Sequence, residues 1–367
     1  MSRAKFFTKE GTIKLATFFE IPVKVHWTFG LLLAFVMYSA FMDSADWGQA
    51  MIFVGFVFVL FLCVILHEYG HAIAARKFGV KTKDIILSPI GGVARLNNMP
   101  SKPAQELVIA IAGPFVNLVI FSTLTLILWQ FTGKILPEND GMQFQSPLEF
   151  LRWVNLLNIS LFVFNLIPAF PMDGGRVLRA LLALKIGRVK ATHLASVIGR
   201  ILAVGFIAYG VYSQNLILSL IGLFIFMMAG KEYDQTKLSE LVQTSKAKEL
   251  MRNQFTKLQL HDGYPFVIQR YQDGEKNFVV FDITGNPIGT LPELFIKDAI
   301  DHPNDILTIG ERFVSNTQNI SPDMVLDDII SLMKVKGIAI LPVVSDGEVQ
   351  GVIDRNDIET FIRTKIG

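Results

Sequence analysis

The apolar positions of this chain are gathered into long runs, nearly all of them before about Gly230. Segments of spanning length, roughly 20 residues with allowance for tilt, are predicted at about 26–43, 50–75, 105–131, from near 148 into a Pro-rich stretch ending at 175, 193–212 and 215–230. The first is short. The fourth continues past Asn165 into a stretch broken by Pro168 and Pro171. Non-helical backbone at membrane depth is tolerated only where it is buried in protein or lines a cavity, so this break marks a candidate site. Between the second and third runs, Ile85-Ile86-Leu87, a Pro89/Gly91-Gly92 break and Val93-Ala94-Arg95-Leu96 predict a β-hairpin within Val80 to Asn98. It follows the second helix, so it either packs near that helix or serves only as a connector.

After Gly230 a charged linker, Lys231 to Lys248, leads into a pattern typical of soluble sequence. Near the end, Pro322-Asp323 opens a helix, Asp327 to Lys336, which Gly337 ends. A strand over Ile338 to Val344, an Asp346-Gly347 turn, a strand over Val349 to Ile353 and a helix from Asn356-Asp357 to about Ile362 follow. The expected fold is a polytopic α-helical membrane protein. It has about six transmembrane helices, a short β-hairpin between spans 2 and 3, and a C-terminal α/β module. The expected boundaries are 1–232 for the membrane domain, 233–247 for the linker and 248–367 for the module.

Composition adds two points. Only 18% of residues are charged and there are thirty Phe, which favours a membrane protein although the 51% hydrophobic content is near a soluble average. The net charge of +2 matters only in its distribution. Arg76, Lys77, Lys81, Lys83, Arg95, Lys102, Arg176, Arg179, Lys185, Arg188 and Lys190 fall in loops on one side of a six-span topology. The opposite loops hold Lys134 beside Asp43, Asp46, Glu138 and Asp140. The excess of positive charge predicts both termini on the cytoplasmic side, the membrane being the cell membrane or another internal one. Arg3, Lys5, Lys9, Lys14 and Lys24 precede the first run with no small-residue cleavage pattern after it, so that run reads as a retained span. The single cysteine, Cys63, excludes an intrachain disulfide and reads as a small apolar wall residue.

The chemistry is concentrated in His67-Glu68-Tyr69-Gly70-His71, inside the second apolar run. Ionisable groups at membrane depth are costly and mark function by default. On a helix this pattern puts both imidazoles on one face, with a carboxylate beside them that can deprotonate a metal-bound water. Two imidazoles leave zinc short of a third protein ligand. Asp173, the acid in the Pro-rich stretch Asn165 to Gly175, is the candidate; the alternative is a turn residue capping a helix that starts near Gly175. Asn165 is a candidate for the substrate backbone or the oxyanion, or else for helix–helix hydrogen bonding. Asn117 reads as a packing residue.

These residues resemble the site-2 protease family of intramembrane zinc metalloproteases. The resemblance rests on His67-Glu68-Tyr69-Gly70-His71, Ile90-Gly91-Gly92-Val93-Ala94, Ala112-Gly113-Pro114-Phe115-Val116-Asn117 and Asn165…Pro168…Pro171-Met172-Asp173-Gly174, in the family's order over about 25–230. It implies one zinc per chain held by His67, His71 and Asp173, with Glu68 activating water, and a transmembrane protein as substrate. Val25-His26-Trp27 also resembles the family, with no catalytic role assigned to His26. Residues from about Phe313 to Thr364 resemble a CBS (cystathionine-β-synthase-type) repeat, and a degenerate first copy is expected at about Lys246 to Ile300, its first helix hard to find. The resemblance implies adenine nucleotide binding, for which Asp357 matches. Asp354, however, stands where the family has a hydroxyl, which is unfavourable beside a phosphate. The module either senses a nucleotide or serves only to dimerise or pack. No nucleic-acid partner is expected. The rivals are a CBS-gated metal transporter, which would be expected to show paired broken helices, and an inactive scaffold.

Overall fold

A computed structural model describes residues 11–44, 47–89, 91–96, 102–137, 144, 146–302, 308–315 and 317–366. Arg3, Lys5, Lys9, Asp46, Ile90, Asn98, Glu138 and Asp140, on which the topology and motif expectations drew, lie outside them, as does the side chain of Asp43. The chain forms two compact units, Met1–Tyr233 and Asp234–Gly367.

The first unit opens with two strands that the apolar runs do not reveal, β1 (Thr12–Phe18) and β2 (Ile21–His26). A short apolar helix, α1 (Thr28–Ser44), and a long one, α2 (Trp47–Lys77), follow. The expected hairpin is β3 (Thr82–Ser88) and β4 (Gly91–Leu96). It belongs to a four-stranded sheet in the order β1-β2-β3-β4, in which β2 runs parallel to β3 with Val23 opposite Ile85 and Val25 opposite Leu87. In β2, Ile21 and Val23 alternate with Pro22 and Lys24, and the buried set packs with Ile85 and Leu87 on Phe61, Tyr69 and Ala72 of α2. At the sheet, Asp84 is fully buried. The Arg95 guanidinium, 2.6 Å from each of its oxygens, and the Lys24 ammonium at 2.5 Å hold its carboxyl at about 2.

The remaining helices of this unit are α3 (Pro103–Thr132), α4 (Pro147–Asn165), α5 (Asp173–Ile186), α6 (Arg188–Tyr212) and α7 (Leu216–Thr244). Pro103 starts α3, where its missing N–H costs nothing, and Gly133 closes it in the left-handed conformation. Ser146 caps α4 by accepting from the Glu149 N–H at 3.2 Å. Of these helices, α2, α3, α4, α6 and α7 are long and apolar enough to cross a membrane, and α1 is a shorter apolar helix. The protein is therefore an integral membrane protein with about the expected number of spans. The 176–192 loop is not irregular, because α5 fills it up to Ile186. Arg179 of α5 is buried. It donates to Glu106 of α3 from Nε at 2.7 Å and to Glu232 of α7 at 2.5 Å, and it lies over the Phe170 ring. The expected linker continues α7 as helix to Thr244.

The second unit contains a short turn of helix, α8 (Ala247–Leu250), then β5 (Lys257–Gln259), α9 (Tyr264–Gln272), β6 (Phe278–Phe281), β7 (Pro287–Leu291) and α10 (Glu293–Asp301). It ends with α11 (Leu326–Lys336), β8 (Ile340–Ser345), β9 (Glu348–Asp354) and α12 (Arg355–Ile366). The two halves share one plan. In each, a parallel pairing precedes an antiparallel hairpin: Leu258 with Val280 ahead of β6–β7, and Ile320 with Val343 ahead of β8–β9. α9 is the helix that the sequence hid in the first half. Asp346 and Gly347 both take positive φ (54° and 82°), as a two-residue hairpin turn requires.

Candidate metal centre

His67 and His71 stand one helical turn apart on α2, so their rings share a face. Their Nε2 atoms are 3.1 Å apart. Asp173, the first residue of α5, brings Oδ2 to 3.1 Å from His67 Nε2 and 3.0 Å from His71 Nε2. All three residues are buried. The chain reaches this position through a tight reversal after α4. A Cβ on Gly174 would run into the Leu166 and Ile167 carbonyls, and one on Gly175 into the backbone of Ala169 and Phe170. Asp173 does not cap α5: Met172 occupies the cap position, and the carboxylate turns to the histidines instead. Among the described residues, these three form the one cluster of His, Cys, Asp and Glu side chains with metal-ligand spacing.

The outer nitrogens show what the cluster can hold. His71 Nδ1 is 2.7 Å from the Ile109 carbonyl, which can only accept, so that nitrogen carries the proton. His67 Nδ1 faces Asn117 Oδ1 at 2.5 Å. With both protons on Nδ1, two Nε2 lone pairs and a carboxylate oxygen converge within about 3 Å, an arrangement that repels itself unless a cation sits among them. Two imidazoles and one carboxylate are the protein donor set of a catalytic zinc site. The residues therefore fit that metal.

Two backbone approaches shape the site. A Cβ on Gly70 of α2 would meet the Ala112 carbonyl of α3 at 2.5 Å, so the two helices touch backbone to backbone there. Gly113 of α3 lies directly against both imidazoles, and a Cβ there would strike both rings. Glu68 is half-buried, with Oε2 accepting from the Ala94 N–H of β4 at 2.8 Å. The hairpin thus packs on the motif helix and orients its carboxylate.

The other sequence candidates fall as follows. Asn165 is half-buried, and its Nδ2 donates to the Leu161 carbonyl at 2.9 Å, one turn back on its own helix. Asn117 is fully buried, as a packing residue would be, but its amide also has polar partners: Oδ1 faces His67 Nδ1 at 2.5 Å and Nδ2 donates to Asn158. Cys63 is buried, and the Asn158 amide donates to its sulfur at 3.4 Å. His26 bonds Thr28 at 2.7 Å at the start of α1 and is not brought to the cluster. In the second unit, Asp357 and Asp354 cap α12 reciprocally: Asp354 N–H donates to Asp357 Oδ2 at 2.9 Å, and Asp357 N–H to Asp354 Oδ1 at 3.0 Å. Burial, reinforced by the Asp354 carboxylate, pushes the Asp357 carboxyl up to about 6.

Comparison with known proteins agrees with this geometry. The sequence profile "Peptidase family M50" matches residues 55–146 and 133–206, and the "CBS domain" profile matches 315–363. A zinc metalloprotease of Methanocaldococcus jannaschii is 39% identical over 240 residues, which are 65% of this chain and 66% of that protein. The chain belongs to peptidase family M50, the site-2 protease family. A putative zinc metalloprotease of Synechocystis is 29% identical to this M50 chain over 258 residues, 65% of the chain and 64% of that protein. The solved structure of the site-2 protease from Methanocaldococcus jannaschii is 40% identical, matching 60% of the M50 chain and 95% of its own, with a TM-score of 0.45. The M50 chain spans just under two thirds of the length of the two curated relatives.

Proposed function

We propose that the chain is an intramembrane zinc endopeptidase that cleaves peptide bonds in or near transmembrane segments of other membrane proteins. The observation that carries this reading is the convergence of His67 Nε2, His71 Nε2 and Asp173 Oδ2 inside a bundle of apolar helices, with Glu68 on the same helix. In this reading the three residues hold one zinc per chain. When bound, zinc supplies a water acidified to a pKa of about 7 and a Lewis acid for the peptide carbonyl. Glu68, anchored through Oε2, takes the proton of the attacking water at Oε1 and passes it to the leaving amine. Asn165 stands at the end of α4, where its second amide N–H can bind a substrate backbone carbonyl. The apolar surroundings keep bulk water away and strengthen each of these charge interactions.

The excess of Lys and Arg in the loops that follow α2 and α4 supports placing them, with both termini, in the cytoplasm. Residues 248–367 are read as a CBS pair that biases the protease, supported by the shared plan of their two halves. An adenine nucleotide bound at Asp357 would have to break the Asp354–Asp357 cap, so binding there would loosen the start of α12. A second copy of the chain is the other partner such a module suits.

The test is metal content per chain by elemental mass spectrometry on detergent-purified protein, wild type beside His71→Ala. One zinc in the wild type and none in the variant is expected. Glu68→Gln then serves as a substrate trap: it keeps zinc and loses turnover by about 10²–10⁴-fold. Wild type without zinc would remove the protease reading.

A further inference from the structure

A chain of buried polar groups stands behind the metal centre, and the centre itself uses only its first member. His67 on α2, Asn117 on α3, Asn158 on α4 and Cys63 on α2 are all buried, the two asparagines completely. His67 Nδ1 is 2.5 Å from Asn117 Oδ1, and Asn117 Nδ2 is 3.0 Å from Asn158 Oδ1. Asn158 Nδ2 then donates to the Val154 carbonyl at 2.9 Å and to Cys63 Sγ at 3.4 Å. Cys63 and His67 lie one turn apart, so the chain leaves α2, visits two other helices and returns. Amides at membrane depth are costly unless paired, and here each has a partner.

The chain has a direction, and it is set at the far end. The Val154 carbonyl can only accept, so Asn158 turns its NH₂ there and presents its oxygen to Asn117. Asn117 must then present NH₂ to Asn158 and oxygen to His67. His67 Nδ1 is left as the donor, and its Nε2 keeps a lone pair for the cluster. His71 needs no such arrangement, because Ile109 gives it a carbonyl that cannot turn round. His67 is held by an amide, which by itself could flip and offer NH₂ instead.

We infer that Asn158 is a positioning residue for the metal centre: acting through Asn117, it fixes His67 in the Nδ1–H form that leaves Nε2 free to ligate. The inference rests on the metal-centre reading above and extends it to a residue that touches neither metal nor substrate. Without Asn158, Asn117 is free to turn its NH₂ to His67, which favours the other tautomer and removes a ligand lone pair.

The test uses the full chain in detergent with Co²⁺ as the probe. Affinity is read by chelator competition, and the ligand field by the visible spectrum. Asn158→Leu is expected to lower Co²⁺ affinity by about 10–100-fold, as losses of outer hydrogen-bond partners do. The control is Asn155→Leu. Asn155 is also fully buried on α4, but it bonds Thr125 and the Ile135 carbonyl at 3.0 Å, away from the chain. That variant is expected to lose stability and keep wild-type affinity and spectrum. Asn117→Asp offers only acceptors, and the Asn158 oxygen it would otherwise face is removed in the Asn117→Asp/Asn158→Leu double variant. That double variant is expected to bind Co²⁺ more tightly than Asn158→Leu alone, because His67 again meets an acceptor. Wild-type affinity in Asn158→Leu, equal losses in the Asn155 control, or a double variant no tighter than Asn158→Leu would each overturn the inference. If Asn158→Leu alone does not fold, the double variant decides it: near wild-type affinity is expected, and a loss of about 10-fold or more overturns the inference. Wild type that binds no Co²⁺ would overturn the metal-centre reading itself, and this inference with it.

Discussion

Replacing Gly113 by alanine adds one methyl group at the point where α3 meets both imidazoles. The new carbon would lie 2.7 Å from His67 Nε2 and 2.5 Å from His71 Cε1, and closer still to His71 Nε2. Ordinary contact begins near 3.4 Å, so the rings or the helix must give way by more than about 0.9 Å. A metal centre tolerates about 0.5 Å of error in its ligands. α3 cannot readily retreat, because Gly70 holds α2 against its backbone one step away. The displacement therefore falls on the histidines. Overpacking of this kind costs about 1–3 kcal/mol of stability. A misplacement near 1 Å costs about 10²-fold in rate, and comparable weakening of zinc binding is expected with it. The assay is chelator competition for zinc in detergent, with thermal unfolding measured alongside. Gly205→Ala on α6 is the matched control: nothing lies within 4 Å of its new methyl, and removing a helical glycine should stabilise by about 0.5–1 kcal/mol. Gly113→Ala with wild-type zinc affinity would refute the placement of α3 against the histidines, and with it the geometry of the centre.

Asp173→Asn keeps the shape but removes the carboxylate charge. It should lose most zinc in the same competition assay, and full retention would put the third ligand elsewhere. Arg179→Leu leaves Glu106 buried without a counter-charge and should cost about 3–5 kcal/mol of thermal stability, most of it restored by adding Glu106→Leu. The Asp357 carboxyl, raised to about 6, keeps its proton in the fold after the unfolded chain has lost it near 4. Stability of α12 should therefore fall as pH rises from about 4 to 6 and level off above. Hydrogen exchange of α12 in the full chain reads this, and Asp357→Asn, which can still accept from the Asp354 N–H, should flatten the profile.

The long apolar helices, α11 and α12 were legible because each carries its own signal. The spacing of His67 and His71, the apolar runs, and Gly337 and Asp346-Gly347 in the second unit are local features, and the structure places them where the sequence does. Asp173 was legible as an acid in the wrong company. What stayed hidden depends on partners far along the chain. β1 and β2 carry Lys14 and Lys24 and read as a basic flank, because the strand that pairs with β2 lies beyond two helices. Asn117 looked like packing because its partner, His67, sits on another helix. Asn158 was readable in principle, since an amide in an apolar span asks for a partner, but nothing in the sequence says which. Arg179 counted as a loop charge. Its real surroundings are Glu106, Glu232 and the Phe170 ring.

The parallel pairing of β2 with β3 has a consequence for how the chain threads the membrane. Val23 and Ile85 can share a sheet only if both strands lie on the same side of the bilayer. The chain between them, α1 and α2, must then cross an even number of times. α2, with 31 residues, is about 46 Å long and spans with ease, so α1, at 17 residues and about 26 Å, must make the return trip despite its length. This parity argument does not depend on where the lysines and arginines fall. Reversing loop charges should therefore leave α1 and α2 paired as an out-and-back unit, with the sheet acting as the clasp that keeps them so.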